Sequence, residues 1–217
     1  MKVVAVASTK GGVGKSTIAV NIATEAARRK IRVLLVDCDS QKSSAGWRDI
    51  RVMDDITSMS ITTTTIHKDI IKFKDSFDLV VIDCGGETVS NLLQSAIVAV
   101  GITGLLIIPV LPSVYDVWAT EDTLGVLRRV RGVQDTRARF LINQKMFNRR
   151  MSTEVVDEIG KYAEEVSVME SQLMFREAYK TTIKEGKGVV EFTDIKAKDE
   201  FIKLFDEILS ILETEGL

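Results

Sequence analysis

The chain has 217 residues, enough for one α/β domain or at most two small ones. Its 29 Lys and Arg against 31 Asp and Glu give a formal charge of −2, with 45% hydrophobic and 28% charged residues. That balance excludes a uniformly basic nucleic-acid protein and a highly charged disordered chain, and only two prolines exclude long Pro-rich linkers.

The N-terminal apolar stretch Met1–Ala7 is too short for a signal peptide, and no run approaches 18 apolar residues. A soluble cytoplasmic protein is the expectation. Val3–Ala7 reads as a first strand, and Ser8–Thr17 follows it as a Gly-rich loop. A helix is expected over Lys15–Arg29 and a second strand over Val33–Val36. Met59–Thr65 is alternating and Thr-rich, and fits a marginal strand. Leu79–Ile82, Leu105–Val110 and Phe140–Ile142 complete the strand set, with helices over Val89–Val100 and Tyr115–Val130 between them. Short, nearly continuous apolar runs of this kind mark strands buried on both faces of a parallel sheet. Lys196–Leu212 carries apolar residues at helical spacing and is expected to close the fold as an amphipathic helix. The fold class is α/β: a mostly parallel, doubly wound P-loop sheet with helices on both faces, in a single domain.

The loop Ser8-Thr9-Lys10-Gly11-Gly12-Val13-Gly14-Lys15-Ser16-Thr17 sits where a phosphate-binding loop belongs, between a strand and a helix. Gly11, Gly12 and Gly14 let successive backbone N–H groups, with that of Val13, point at one anion. The helix N-terminus adds partial positive charge. Lys15 is placed to reach the β and γ phosphates of ATP, Ser16 to bind Mg²⁺, and Thr17 to bond the α-phosphate.

The string Lys10–Thr17 resembles the deviant Walker motif of the ParA/MinD family of ATPases. The resemblance implies a nucleotide-sandwich homodimer in which Lys10 reaches the partner's phosphates, much as an arginine finger acts in trans. Asp37-Cys38-Asp39-Ser40-Gln41 looks like the family's second acidic motif, with Ser40 in place of proline. By resemblance, Asp39 handles the attacking water and Asp37 belongs to the metal shell. Phe77–Asp83 resembles a Walker B strand, so Asp83 is expected to hold Mg²⁺ through water. Cys84-Gly85-Gly86-Glu87 follows where many relatives carry prolines. Pro109–Asp116 looks like the loop after the next strand. Phe140–Gln144 looks like the strand that ends in an adenine-reading Asn, here Asn143. Met174–Tyr179 and Gly186–Glu191 resemble the C-terminal arm of small partition ATPases.

Residues 126–150 carry eight basic side chains and one acidic one, while residues 151–217 carry eight basic and sixteen acidic. Arg149 and Arg150 lie past a strand end and are candidates to contact DNA without sequence preference. Arg176 and Lys180 sit where the family often places such contacts. The resemblance further implies a ParB-type or small centromere-binding partner protein, and a nucleoid-associated role in partitioning or positioning DNA. No helix-turn-helix domain is expected before the first strand. The acidic tail has the wrong sign for a membrane-binding helix, so no membrane partner is expected. Alternatives are nucleoid-based positioning of a protein cargo, and a P-loop ligase of the dethiobiotin-synthetase type. Cys38 and Cys84 read as buried small hydrophobes, His67 as a surface or capping residue, and Trp47 and Trp118 as packing residues. Met146, Met151, Met169 and Met174 read as core filler.

Overall fold

The computed structural model describes residues 1–39, 43–85, 90–101, 103–147 and 151–214. Seven parallel strands form one sheet: β1 (Lys2–Ala7), β2 (Val33–Asp37), β3 (Thr57–Ser60), β4 (Leu79–Cys84), β5 (Leu105–Val110), β6 (Ala138–Ile142) and β7 (Ser167–Val168). Their spatial order is β3-β2-β4-β1-β5-β6-β7. The chain runs outward from β1 to one edge, returns through β4, and then builds the other edge. Ligands bind such sheets at the carboxyl ends of the strands where the order reverses.

Alternate residues of β1 face opposite cores, as a period of two requires. Val4 and Val6 pack with α1 (Lys15–Arg28) and α9 (Ile195–Glu213). Val3, Ala5 and Ala7 pack with α4 (Ser90–Val100) and α6 (Glu121–Arg131). The closing helix matches its sequence pattern: Phe201, Leu204, Phe205, Ile208 and Leu212 are all buried. The helices α2 (Ser43–Ile50), α3 (Ile66–Ile70), α7 (Thr153–Gly160) and α8 (Glu177–Lys184) lie outside the periodic segments singled out above.

Several expectations are corrected. The marginal strand lies at Thr57–Ser60, not Met59–Thr65, and pairs with β2 as a sheet edge. The single helix expected over Tyr115–Val130 is two: α5 (Val114–Trp118) and α6. The chain turns between them where the Thr120 hydroxyl donates to the Val117 carbonyl at 2.6 Å, a local bond of the kind that competes with helical continuation. Trp47 is buried, but Trp118 is half exposed, edge-to-face with Tyr115 and donating its Nε1–H to Glu158. Met169 is core, whereas Met146 is exposed. Cys38 and Cys84 are buried, as expected.

Candidate nucleotide site

The loop after β1 curls through two left-handed glycines, Gly12 at φ 75° and Gly14 at φ 90°. A side chain at Gly14 would also meet Asn143 Nδ2 at 2.3 Å, so glycine is required there twice over. Gly14 caps α1, and among the described residues no side-chain cap bond is made there. A 14-residue helix thus presents its positive end at the carboxyl edge of the sheet.

Lys15 is nearly buried, and its Nζ donates to the Lys10 carbonyl at 2.7 Å, folding back along the loop. Burial lowers its pKa from the ordinary lysine value, while Asp83 and Asp39 act in the opposite direction. Lys10 itself forms an ion pair with Asp116 on α5. The loop is braced by Thr9 N–H donating to Thr123 Oγ1 at 3.0 Å and by Lys10 N–H donating to Ser8 Oγ at 3.2 Å.

The acids come together through strand register. Asp37 and Asp83 are direct neighbours on β2 and β4, and both are fully buried. Asp37 accepts from the Asp39 N–H at 2.9 Å and from the Ala45 N–H at 2.8 Å, so each of its oxygens already has a partner. Asp83 differs. Neither of its oxygens makes a well-formed hydrogen bond. Burial pushes its pKa up to about 7, and the nearby Ser16 and Ser44 hydroxyls only partly oppose that shift. The Ser44 hydroxyl is likewise buried and unsatisfied. Orphaned buried oxygens beside the Ser16 hydroxyl form a hard-oxygen set that fits Mg²⁺. Asp39 lies against the β4 loop, where a Cβ on Gly85 would come within 2.0 Å of its Oδ2. Ser40, Gln41, Gly86 and Glu87 fall outside the described residues.

A cleft opens on the far side of the loop, lined by Thr17, Ile18, Asn143, Leu173, Phe175 and Lys180 among others. Asn143 follows β6 directly. Its Nδ2 donates to the Val13 carbonyl at 2.7 Å and its Oδ1 accepts from Gln144 N–H at 2.9 Å. One N–H and one lone pair of the amide are left by these bonds. Asn143 therefore ties the loop to the end of β6 as well as lining the cleft.

The basic stretch is not a continuous free surface. Arg128 pairs with Glu121 and Glu165. Arg131 donates to the carbonyls of Thr136 and Glu165, Arg137 to the Ile211 carbonyl, and Lys145 to Gln172. Arg176 is largely buried and pairs with Glu200 at 3.2 Å, facing the cleft. Lys180 is exposed, near Glu177 and over the Phe175 ring. Arg149 and Arg150 lie outside the described residues. His67 meets Ser95 at 3.0 Å, and among the described residues no group of three or more His, Cys, Asp or Glu side chains is arranged to hold a metal by itself.

Two features escaped the sequence reading: Asp116 as the partner of Lys10, and Ser44 beside Asp83. Only the Ser-Ser pair opening α2 could have hinted at the second.

The nucleotide-binding domain profile shared by CobQ, CobB, MinD and ParA matches residues 4–189. The chain belongs to that family. Its ParA- and MinD-type members are ATPases. The chain is 27% identical over 216 residues to the maintenance of carboxysome distribution protein A of Halothiobacillus neapolitanus, covering 94% of this chain and 95% of that protein. It is 34% identical over 129 residues to Protein ParA of Rhizobium radiobacter, covering 58% and 56% of the two chains. Its fold is similar to an ATP complex of McdA from Cyanothece, at TM-score 0.77 and 15% identity over 96% of each chain. The parallel sheet with its helices is the MinD/ParA P-loop architecture. No helix among the described residues is long and apolar enough to cross a membrane.

Proposed function

We propose that this chain is a single-domain, Mg²⁺-dependent ATPase of the ParA type that positions a cargo through an ATP-dependent homodimer. The observation that carries the reading is one continuous site: a loop bearing Lys10 and Lys15, facing Asp37, Asp39 and Asp83 at the ends of adjacent strands.

In this reading Lys15 binds the β and γ phosphates, while the N–H groups of Gly11, Gly12, Val13 and Gly14 surround them. Thr17 bonds the α-phosphate, and Asn143 meets the base in the cleft. Ser16 and Asp83 hold Mg²⁺, with Asp37 fixing the Asp39 backbone beside it. Bound Mg²⁺ supplies charge neutralisation on the triphosphate. Asp39 orients the attacking water, and Lys10 of each subunit stabilises charge on the other's nucleotide. Close approach of Gly85 to Asp39 supports a fixed place for that acid. Gly85→Ala is expected to displace Asp39 and slow hydrolysis by about 100-fold, because small misplacements of reacting groups carry such costs. Nucleotide affinity is expected to change far less. Turnover and titration calorimetry on the same preparation separate the two effects.

The cargo in this reading is DNA, partitioned over the nucleoid with a ParB-type or small centromere-binding partner that stimulates hydrolysis. Similarity to Protein ParA over part of the chain supports it. Similarity over nearly the whole chain to a carboxysome distribution protein supports a second reading, in which a protein assembly is the cargo. Both require nonspecific DNA binding by the dimer, for which Arg149, Arg150 and Lys180 are the contacts we favour. Arg176 joins them only if its pair with Glu200 opens.

The test is Lys10→Ala. With a slowly hydrolysed ATP analogue, the variant is expected to bind nucleotide as a monomer and to lose the dimer that light scattering detects in the wild type. An intact dimer would remove the trans role. ATP turnover that ignores DNA and any partner, but responds to a small acceptor, would favour the ligase alternative instead.

A further inference from the structure

We propose that Asp116 is a positioning residue for Lys10, holding its ammonium inside its own subunit until a second subunit competes for it. The inference rests on the trans role of Lys10 proposed above.

Lys10 Nζ pairs directly with Asp116 Oδ1, with side-chain exposures of 34% and 12%. The acid is itself fixed. The Ser113 hydroxyl donates to Asp116 Oδ2 at 2.7 Å, and the Asp116 N–H donates to Ser113 Oγ at 3.3 Å. Asp116 also stands in the first turn of α5, so its backbone cannot follow a departing lysine freely. The lysine is therefore the partner that moves.

The main chain of Lys10 is tethered separately, by Lys15 Nζ on its carbonyl and by Ser8 Oγ on its N–H. Lys15 is the group that a bound polyphosphate would recruit. Nucleotide binding thus competes for the Lys15 tether and loosens the loop, while the Asp116 pair still holds the side chain. The pair biases the ammonium inward, and a second anion at hand competes for it better than water does. A single subunit has one triphosphate, already matched to Lys15, whereas a second subunit brings another. The two tethers make release sequential: nucleotide first, partner second.

The arithmetic is steep because both subunits must release. If only a fraction of nucleotide-bound monomers is free of the Asp116 pair, the dimer dissociation constant rises as the inverse square of that fraction. A partly exposed pair shifts such an equilibrium by about twofold to fivefold. Removing it from both subunits is then worth about fourfold to 25-fold in dimer affinity.

The experiment is sedimentation velocity on full-length Asp116→Asn, across protein concentration, with Mg²⁺ and a slowly hydrolysed ATP analogue. The variant is expected to dimerise with a dissociation constant about fourfold to 25-fold lower than wild type. Its advantage is expected to shrink between 0.1 and 1 M salt as the wild-type pair is screened, which a purely structural effect would not do. Asp116→Glu, which keeps the charge, is expected to return toward wild type. Unchanged or weaker dimerisation in Asp116→Asn, with normal analogue binding, overturns the proposal. Should that variant fail to fold, Ser113→Ala removes the hydroxyl that fixes the acid and is expected to shift dimerisation in the same direction. No shift there overturns it equally. Lys10→Ala run alongside separates the two levels. If Lys10→Ala dimerises normally, the trans role itself fails. If Lys10→Ala stays monomeric while Asp116→Asn matches wild type, only the role of Asp116 fails.

Discussion

Replacing Lys15 with alanine is expected to abolish measurable nucleotide binding, with affinity falling about 100-fold or more. The ammonium lies almost out of solvent, at the positive end of α1 and within the field of Asp83 and Asp39. Hydrogen bonds between charged partners in such places contribute about 1.5–3 kcal/mol each, and every 1.4 kcal/mol is tenfold in affinity. Removal also unbalances the site. Asp39 and Asp83 would then face an incoming triphosphate without the cation whose charge they now favour. The same substitution is expected to leave the nucleotide-free fold intact. Burial lowers the lysine's pKa, so its charged form opposes folding near neutral pH until a phosphate arrives. Titration calorimetry paired with thermal denaturation reads both halves. Wild-type affinity would end the phosphate-loop assignment, and a collapsed melting temperature would show that Lys15 has a structural duty instead.

How much of this was legible beforehand follows from the range of the forces involved. The phosphate loop could be read because its requirements are local. Gly12 and Gly14 must adopt positive φ, and the strand before and helix after are written in adjacent residues. The acids could be read as strand-end residues, but their meeting depends on register, which places Asp37 beside Asp83 through a pairing across 46 positions. The basic segment cannot be sorted into free and engaged side chains from sequence, because several of its partners are remote: Glu165 for Arg128, and the Ile211 carbonyl for Arg137. Arg176 hid its partner Glu200 in the same way. Asp116 stood in plain sight at the start of a helix, and only the fold shows that its carboxylate meets Lys10. The errors at Met59–Thr65 and Tyr115–Val130 have a different source. An edge strand gains little from its own propensity, and a two-residue helix break carries neither Gly nor Pro to announce it.

Asp39→Ala is expected to separate binding from hydrolysis. Asp39 follows the carboxyl end of β2 and is partly exposed, with its N–H on the Asp37 side chain and its carboxylate beside the Gly85 backbone. The Asp39 N–H anchors one oxygen of Asp37, a bond that alanine preserves because it uses the backbone. The buried acids and the loop should therefore keep their arrangement, and Lys15 should still bind phosphate. What is lost is the group proposed to orient water, and removal of such a group lowers turnover by about 10²–10⁴-fold. Nucleotide affinity is expected to stay within a few-fold of wild type. Removing a negative charge near the triphosphate acts, if at all, toward tighter binding. A dimer that forms with ATP should persist for as long as its nucleotide does, so the variant with ATP is expected to behave like the wild type with a slowly hydrolysed analogue. Phosphate release, calorimetry and light scattering together define the outcome. Wild-type turnover in Asp39→Ala would remove the acid from the water's path. Lost nucleotide binding would instead make it part of the phosphate or metal site, and the hydrolytic role would then have to be sought among the residues that follow β4.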